Sequence, residues 1–238
     1  MSSWTPPPAD SPRRLADLRV SYDAGVLEED QLGATPLDQF RRWFDEAVAI
    51  GLPEPNAMVL ATASLEGQPS ARTVLLKDVD ERGFVFYTNL GSRKSRELAE
   101  NPAASCVFPW FAMHRQVVVI GRAEQVPRSE AAEYFASRPR GSRLGAWASR
   151  QSSVLEGRAG LEARYAELQS QYPEDGDVPL PEFWGGWVVR PESVEFWQGR
   201  PSRLHDRLRF TLTADARAAA GWAPLSDASS WVVERLSP

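Results

Sequence analysis

The chain has 238 residues, 42% of them hydrophobic, with 9 Trp and 10 Phe, which is enough for one substantial core and excludes a disordered chain. A formal net charge of −5 argues against a protein that coats nucleic acid, although it leaves room for a local basic pocket. One cysteine, Cys106, excludes an internal disulfide, two histidines, His114 and His205, provide no zinc spacing, and no apolar run approaches the ~20 residues of a membrane helix.

In chain order, residues 1–18 are rich in Pro, Ser and charge and are expected as a flexible tail before a single domain over 19–238. The opening MSSWTPPPADSPRR lacks the apolar core of a secretion signal, so the expected location is cytoplasmic. Thr35 and Pro36 open TPLDQFRRWFDEAVAIG, where Leu37, Phe40, Trp43, Phe44 and Ala47 make one apolar stripe; this predicts a capped amphipathic helix stopped at Gly51, its aromatics in the core. AMVLATASL and SARTVLLKDV read as strands joined by EGQP. Arg72–Lys77 and Gly83–Thr88 read as an antiparallel hairpin across DVDERG. RKSRELAENP is a helix ended by Asn101 and Pro102. AASCVFPWFAM and RQVVVIGRAEQV form the next strand pair, with Pro109 arguing for an edge or a bulge. Ser129 is expected to cap EAAEYFASRP, GSRLGAWASRQSSVL is mixed, and GRAGLEARYAELQSQYP is a charged helix. GWVVRPESVEFWQG and RLRFTL form a strand pair separated by the basic turn GRPSRLHDR, ADARAAAGWAPLSDAS is a linker, and WVVERLSP is a last strand. Many short strands with appended helices predict a mainly β fold built on a small barrel.

The helix after Thr88, Asn89, Gly91 and Ser92 begins with Arg93, Lys94 and Arg96. Cations are poorly placed at the positive end of an empty helix and well placed if that end holds an anion such as a phosphate. The other reading of the same residues is an ordinary Ser92 cap with solvated arginines. Arg72, Lys77, Arg138, Arg140, Arg203 and Arg207 are further cations for a basic pocket. There is no GxGxxG, P-loop or G-x-S-x-G context.

The segments RTVLLK, FYTN-x-x-SRK, RQVVVIG, YFASRPRGS, AWASRQSS, FWGGW and EFWQGRPSRLHDR together resemble the pyridoxamine 5′-phosphate oxidase family from Arg19 to the carboxyl terminus. The resemblance implies an FMN-binding split β-barrel with peripheral helices and a C-terminal dimerisation region. It further implies a homodimer with FMN sites built from both subunits. It would place FMN on Arg72, Thr73, Val74, Leu75, Leu76, Lys77, Tyr87, Thr88, Arg93, Lys94, Gln116, Gln151, Ser152, Trp197 and Arg207. It would place the substrate on Arg19, Tyr22, Lys77, Tyr134, Arg138, Ser142, Arg203 and His205, with Arg203 and His205 over the reacting ring. The implied reaction oxidises pyridoxamine or pyridoxine 5′-phosphate to pyridoxal 5′-phosphate, with molecular oxygen as acceptor and hydrogen peroxide as product, and needs no metal, nucleic acid or membrane. The alternatives are a split-barrel flavin or deazaflavin oxidoreductase on another substrate, such as a phenazine precursor, and a non-catalytic cofactor-binding module.

Overall fold

In the computed structural model the described residues are Tyr22, residues 25–174 and residues 176–238; the expected tail over 1–18 and Arg19 lie outside them. The chain divides into two compact units. One holds the described residues up to Asn56 together with 106–119 and 192–238; the other holds 57–105 and 120–191.

The first unit is built on α1 (Pro36–Ala49). Its start follows the cap rule: the Asp38 amide donates to Thr35 Oγ1 at 3.1 Å and Pro36 occupies the first helical position. Leu37, Phe40, Trp43 and Ala47 face inward. Phe40 meets Phe108 edge-on at 5.0 Å and Trp43 meets Phe196 at 5.4 Å, aromatic pairs worth about 0.5–1.5 kcal/mol each beyond their buried area. The end of a long strand (β7, Trp184–Gln198) pairs here with β8 (Asp206–Leu212), Trp197 opposite Arg207, and β8 pairs with β9 (Trp231–Arg235). The expected linker after β8 contains a helix, α6 (Ala214–Ala220), because Thr213 Oγ1 accepts from the Ala216 amide and Gly221 closes it at φ +72°.

In the second unit β1 (Ala57–Ala63) pairs antiparallel with β2 (Pro69–Leu75), Leu60 opposite Arg72, as the sequence predicts. The expected hairpin is shifted. Asp78–Asp80 is itself a short strand, β3, turning through Glu81 and Arg82 into β4 (Gly83–Asn89), whereas Arg72 to Leu75 belong to the β1 partner. Gly83, at φ +145°, makes this turn possible, since a Cβ there would lie 2.1 Å from the Val189 carbonyl. α2 (Arg93–Glu100) follows β4. Ser129 does not cap the next helix, α3 (Arg128–Ser137): Pro127 precedes it, leaving Ser129 in the first turn. The mixed stretch contains α4 (Arg140–Ala148), whose Leu144 and Ala148 pack with Leu168 of α5 (Arg158–Gln171) and with Val178.

With β5 (Ala103–Trp110) and β6 (Arg115–Gln125), the strand order is β2-β1-β5-β6-β7-β4-β3, with β8 joined to β7 and β9 to β8. Pro109 thus lies near the end of an inner strand, not on an edge. The terminal position is what makes its missing amide tolerable. No helix among the described residues is long and apolar enough to cross a membrane.

Candidate active site

A cavity of about 1000 Å³ opens in the second unit. Of the residues expected at the site, Arg72, Thr73, Val74, Leu75, Lys77, Tyr87, Thr88, Arg93, Lys94, Tyr134, Arg138, Ser142, Gln151 and Ser152 all line it. Leu76 is buried beneath its neighbours and does not line the wall.

The start of α2 is assembled from two distant pieces of chain. After α4 the chain makes a tight turn, with Ser152 at φ +71° and the Ser153 amide donating to the Arg150 carbonyl at 3.0 Å. That turn places Ser152 Oγ where it accepts from the Arg93 amide at 3.1 Å, and Gln151 Oε1 where it accepts from Lys94 Nζ at 2.7 Å. Lys94 also donates to Thr88 Oγ1 at 3.0 Å. The lysine is only 7% exposed, and among the described residues its ammonium donates to the neutral oxygens of Thr88, Ser92 and Gln151. Burial first, and the nearby charge of Arg72 second, bring its pKa from 10.5 down to about 8. A buried cation without a counter-ion is an unsatisfied electrostatic demand that an anion relieves.

Beside it, Glu97 organises the two arginines. Arg72 donates to Thr62 Oγ1 at 2.6 Å and to Ser70 Oγ, and reaches Glu97 Oε2 at 3.4 Å; Arg93 Nε donates to Glu97 Oε1 at 2.8 Å. Burial works to raise the Glu97 pKa, but hydrogen bonds from Ser70, Thr62 and Arg93 outweigh it and hold the carboxyl at about 2. Glu97 is absent from the expected site; its one sequence signal was the four-residue spacing from Arg93.

Across the cavity wall Tyr87 stacks on Tyr134 with centroids 4.1 Å apart and on Trp184 at 5.6 Å. The ring fits because Gly186 faces it across the β4–β7 ladder: a Cβ at 186 would lie 2.6 Å from Tyr87 Cδ1. Burial, aided by the Glu130 carboxylate that accepts from its hydroxyl at 3.3 Å, raises the Tyr87 pKa and keeps the phenol neutral. Arg138 lies over the Trp184 ring at 4.9 Å, and its Nη1 is buried without a hydrogen-bond partner among the described residues. Such an atom marks a place where a ligand oxygen belongs.

The other expected residues belong to the first unit. Gln116 is half-buried on β6. Arg207 is held by Glu195 through two hydrogen bonds, at 2.8 and 3.1 Å, and this partner raises its pKa. The turn before it is tight, not extended. Pro201 starts a tight turn closed by the Leu204 amide on the Pro201 carbonyl at 3.2 Å, with Ser202 at φ +57° and Arg203 at φ +63°. His205 Nδ1 accepts from the Arg200 amide at 3.1 Å, so the neutral ring carries its proton on Nε2. Burial, then the charge of Arg203, lowers its pKa. The ring lies 4.6 Å from Trp197 and 5.6 Å from Tyr22.

Two family models match: pyridoxamine 5′-phosphate oxidase over residues 44–172 and the pyridoxine 5′-phosphate oxidase C-terminal dimerisation region over 184–238. A pyridoxine/pyridoxamine 5′-phosphate oxidase of Frankia alni is 53% identical over 98% of this chain and 98% of that protein. One of Trichormus variabilis is 52% identical over 95% and 99%. Among solved structures, PhzG of Burkholderia lata in complex with tetrahydrophenazine-1-carboxylic acid is 30% identical, with a TM-score of 0.80 over 92% of this chain and all of that one. A pyridoxamine 5′-phosphate oxidase-related, FMN-binding protein of Nostoc punctiforme shares the fold at 15% identity and a TM-score of 0.62. The mainly β architecture with peripheral helices is thus the split-barrel flavoprotein fold. Because likeness at this level runs through both matched regions and nearly the full length of these relatives, the chain belongs to the pyridoxine/pyridoxamine 5′-phosphate oxidase family.

Proposed function

We propose that this protein is a pyridoxal 5′-phosphate synthase, oxidising pyridoxamine and pyridoxine 5′-phosphates with FMN as cofactor and molecular oxygen as acceptor, and releasing hydrogen peroxide. The observation that carries the reading is that one cavity holds two separate demands for an anion: buried Lys94 with its neutral partners at the start of α2, and the unpartnered Nη1 of Arg138 after α3. A phosphorylated cofactor and a phosphorylated substrate satisfy both. The residues present therefore fit FMN: Arg93 and Lys94 take its phosphate, Arg72 is held beside them by Glu97, and Thr88, Gln151 and Ser152 complete the grip. FMN supplies the two-electron chemistry and its reoxidation by oxygen. Arg138, Tyr134, Ser142 and Lys77 hold the substrate phosphate. Arg203, permanently charged, orients the substrate and balances negative charge near its ring, and His205, neutral with its proton on Nε2, donates a hydrogen bond there. Gln116, Trp197 and Arg207 complete the cofactor surroundings, and Tyr22, with Arg19, covers the substrate.

Residues 19–238 act as one functional domain, with 184–238 as the dimerisation region of a homodimer, and the protein works in the cytoplasm. The phenazine-type alternative is supported by the likeness to PhzG, but identity of 30% there against 53% with the Frankia alni oxidase favours the vitamin substrate. The test is turnover of pyridoxine 5′-phosphate and of unphosphorylated pyridoxine in air by purified, yellow protein, with peroxide measured. Strong preference for the phosphate ester with one peroxide per product supports the reading. Flavin retained without peroxide would instead assign a binding module.

A further inference from the structure

We propose that His114 is a positioning residue for this oxidation, seating the Tyr22 ring against Trp197 and His205 in a slot that exists because residue 199 is glycine. The inference rests on the proposal that Tyr22 and His205 meet the substrate.

Tyr22 meets three rings edge-on: His114 at 4.6 Å, His205 at 5.6 Å and Trp197 at 5.8 Å. The floor is Gly199, where a Cβ would lie 2.8 Å from Tyr22 Cγ and 3.1 Å from His114 Cβ, so any side chain there displaces the tyrosine. The wall is held in place through its backbone. His114 ends a short helical turn over Phe111–Met113 in the left-handed region, at φ +52°. Its carbonyl accepts from the Gly199 amide at 2.7 Å and from Nε2 of the fully buried Gln198 at 3.2 Å. Gln198 in turn accepts from Arg115 Nε at 2.9 Å.

The His114 side chain contributes shape and no hydrogen bond through Nδ1, which is buried without a partner among the described residues. A polar atom kept dry and unpaired weakens its surroundings, so a phenyl ring at this position preserves the wall and removes that weakness. This separates a packing role for His114 from a chemical one.

The test uses holoprotein saturated with FMN and pyridoxine 5′-phosphate as substrate, beginning with wild-type turnover; absence of turnover there would remove the functional reading itself. Given turnover, His114→Ala is expected to raise KM about 3- to 10-fold, the range of a lost aromatic contact, with kcat within about twofold and FMN affinity unchanged. His114→Phe is expected to restore wild-type KM. Gly199→Ala is expected to mimic Tyr22→Ala. Because His114 acts through Tyr22, the Tyr22→Ala/His114→Ala double variant is expected to be no worse than Tyr22→Ala alone. Equal impairment of His114→Phe and His114→Ala, multiplying effects in the double variant, or an unchanged KM in Tyr22→Ala would overturn the proposal. If His114→Ala does not fold, His114→Phe, Tyr22→Ala and Gly199→Ala still decide it.

Discussion

The start of α2 and the β7–β8 turn are both basic, yet they are built in opposite ways. At α2 the cations have fixed neighbours: Lys94 is buried on Gln151 and Thr88, and Arg72 and Arg93 share Glu97. In the turn Arg203 is exposed on a backbone bent into the left-handed region, and Ser202 beside it is bent the same way. A fixed, partly desolvated cation set suits a group that stays bound, because the cost of ordering it was met during folding. An exposed arginine on a strained turn suits a group that arrives and leaves each cycle. On the proposed assignment, the difference divides labour between cofactor retention and substrate chemistry.

The largest effect that would break this division is expected from Arg93→Ala/Lys94→Ala. Charge-assisted contacts are worth about 1.5–3 kcal/mol each, so loss of the buried Lys94 contact alone weakens FMN binding roughly 10- to 150-fold by titration, and the double variant more. Unchanged affinity would remove the phosphate site from the start of α2. Next in size, Arg203→Ala is expected to lower kcat/KM for pyridoxine 5′-phosphate by about 1.5–3 kcal/mol in fully loaded protein, with FMN affinity retained. His205→Ala moves the same quantity less, and Arg207→Ala shows mainly in FMN occupancy. Near-wild-type kcat/KM in the Arg203 variant would erase the contrast.

A pH series sharpens the same contrast. In the cofactor-free protein Lys94 titrates at about 8, and a bound phosphate favours its charged form. FMN affinity is therefore full between about pH 6, below which the phosphate itself takes up a proton, and pH 8, and declines above pH 8 by up to about tenfold per unit, whereas Lys94→Met flattens that upper limb. Stability of the cofactor-free protein carries the opposite sign: between about 8 and 10.5 the unfolded lysine holds a proton that the folded one has lost, so this group's contribution rises with pH. The smallest effect is expected from Ser202→Gly. Relief of a left-handed non-glycine residue is worth about 1 kcal/mol, read as a higher Tm, and no gain would place the strain elsewhere.

Local features were legible in the sequence. The Thr35–Pro36 start of α1 and the β1–β2 pairing follow from capping and alternation, which act over a few residues. The family motifs named a cavity-lining set that the structure brings together around α2 and β4. What escaped depends on distant chain. α4 carries Gly141, Ser142 and Gly145, poor helix formers, and is held by packing of Leu144 and Ala148 on α5. The hairpin was misplaced because Arg72 to Leu75 find a better partner in β1 than in β4. Glu97 reads as one more helix-surface acid until Ser70 and Thr62 are seen to donate to it. Arg203 and His205 were grouped by the family resemblance, and the turn that starts at Pro201 and bends Ser202 and Arg203 into the left-handed region was not legible in their spacing.

The most direct measurement is a parallel titration of the cofactor-free protein with FMN and with riboflavin, which differ only in the phosphate. If the buried Lys94 and its neighbours are a phosphate site, FMN binds at least about 100-fold more tightly than riboflavin below pH 8, as two or more charge-assisted contacts require. Equal affinity for the two flavins would contradict the account.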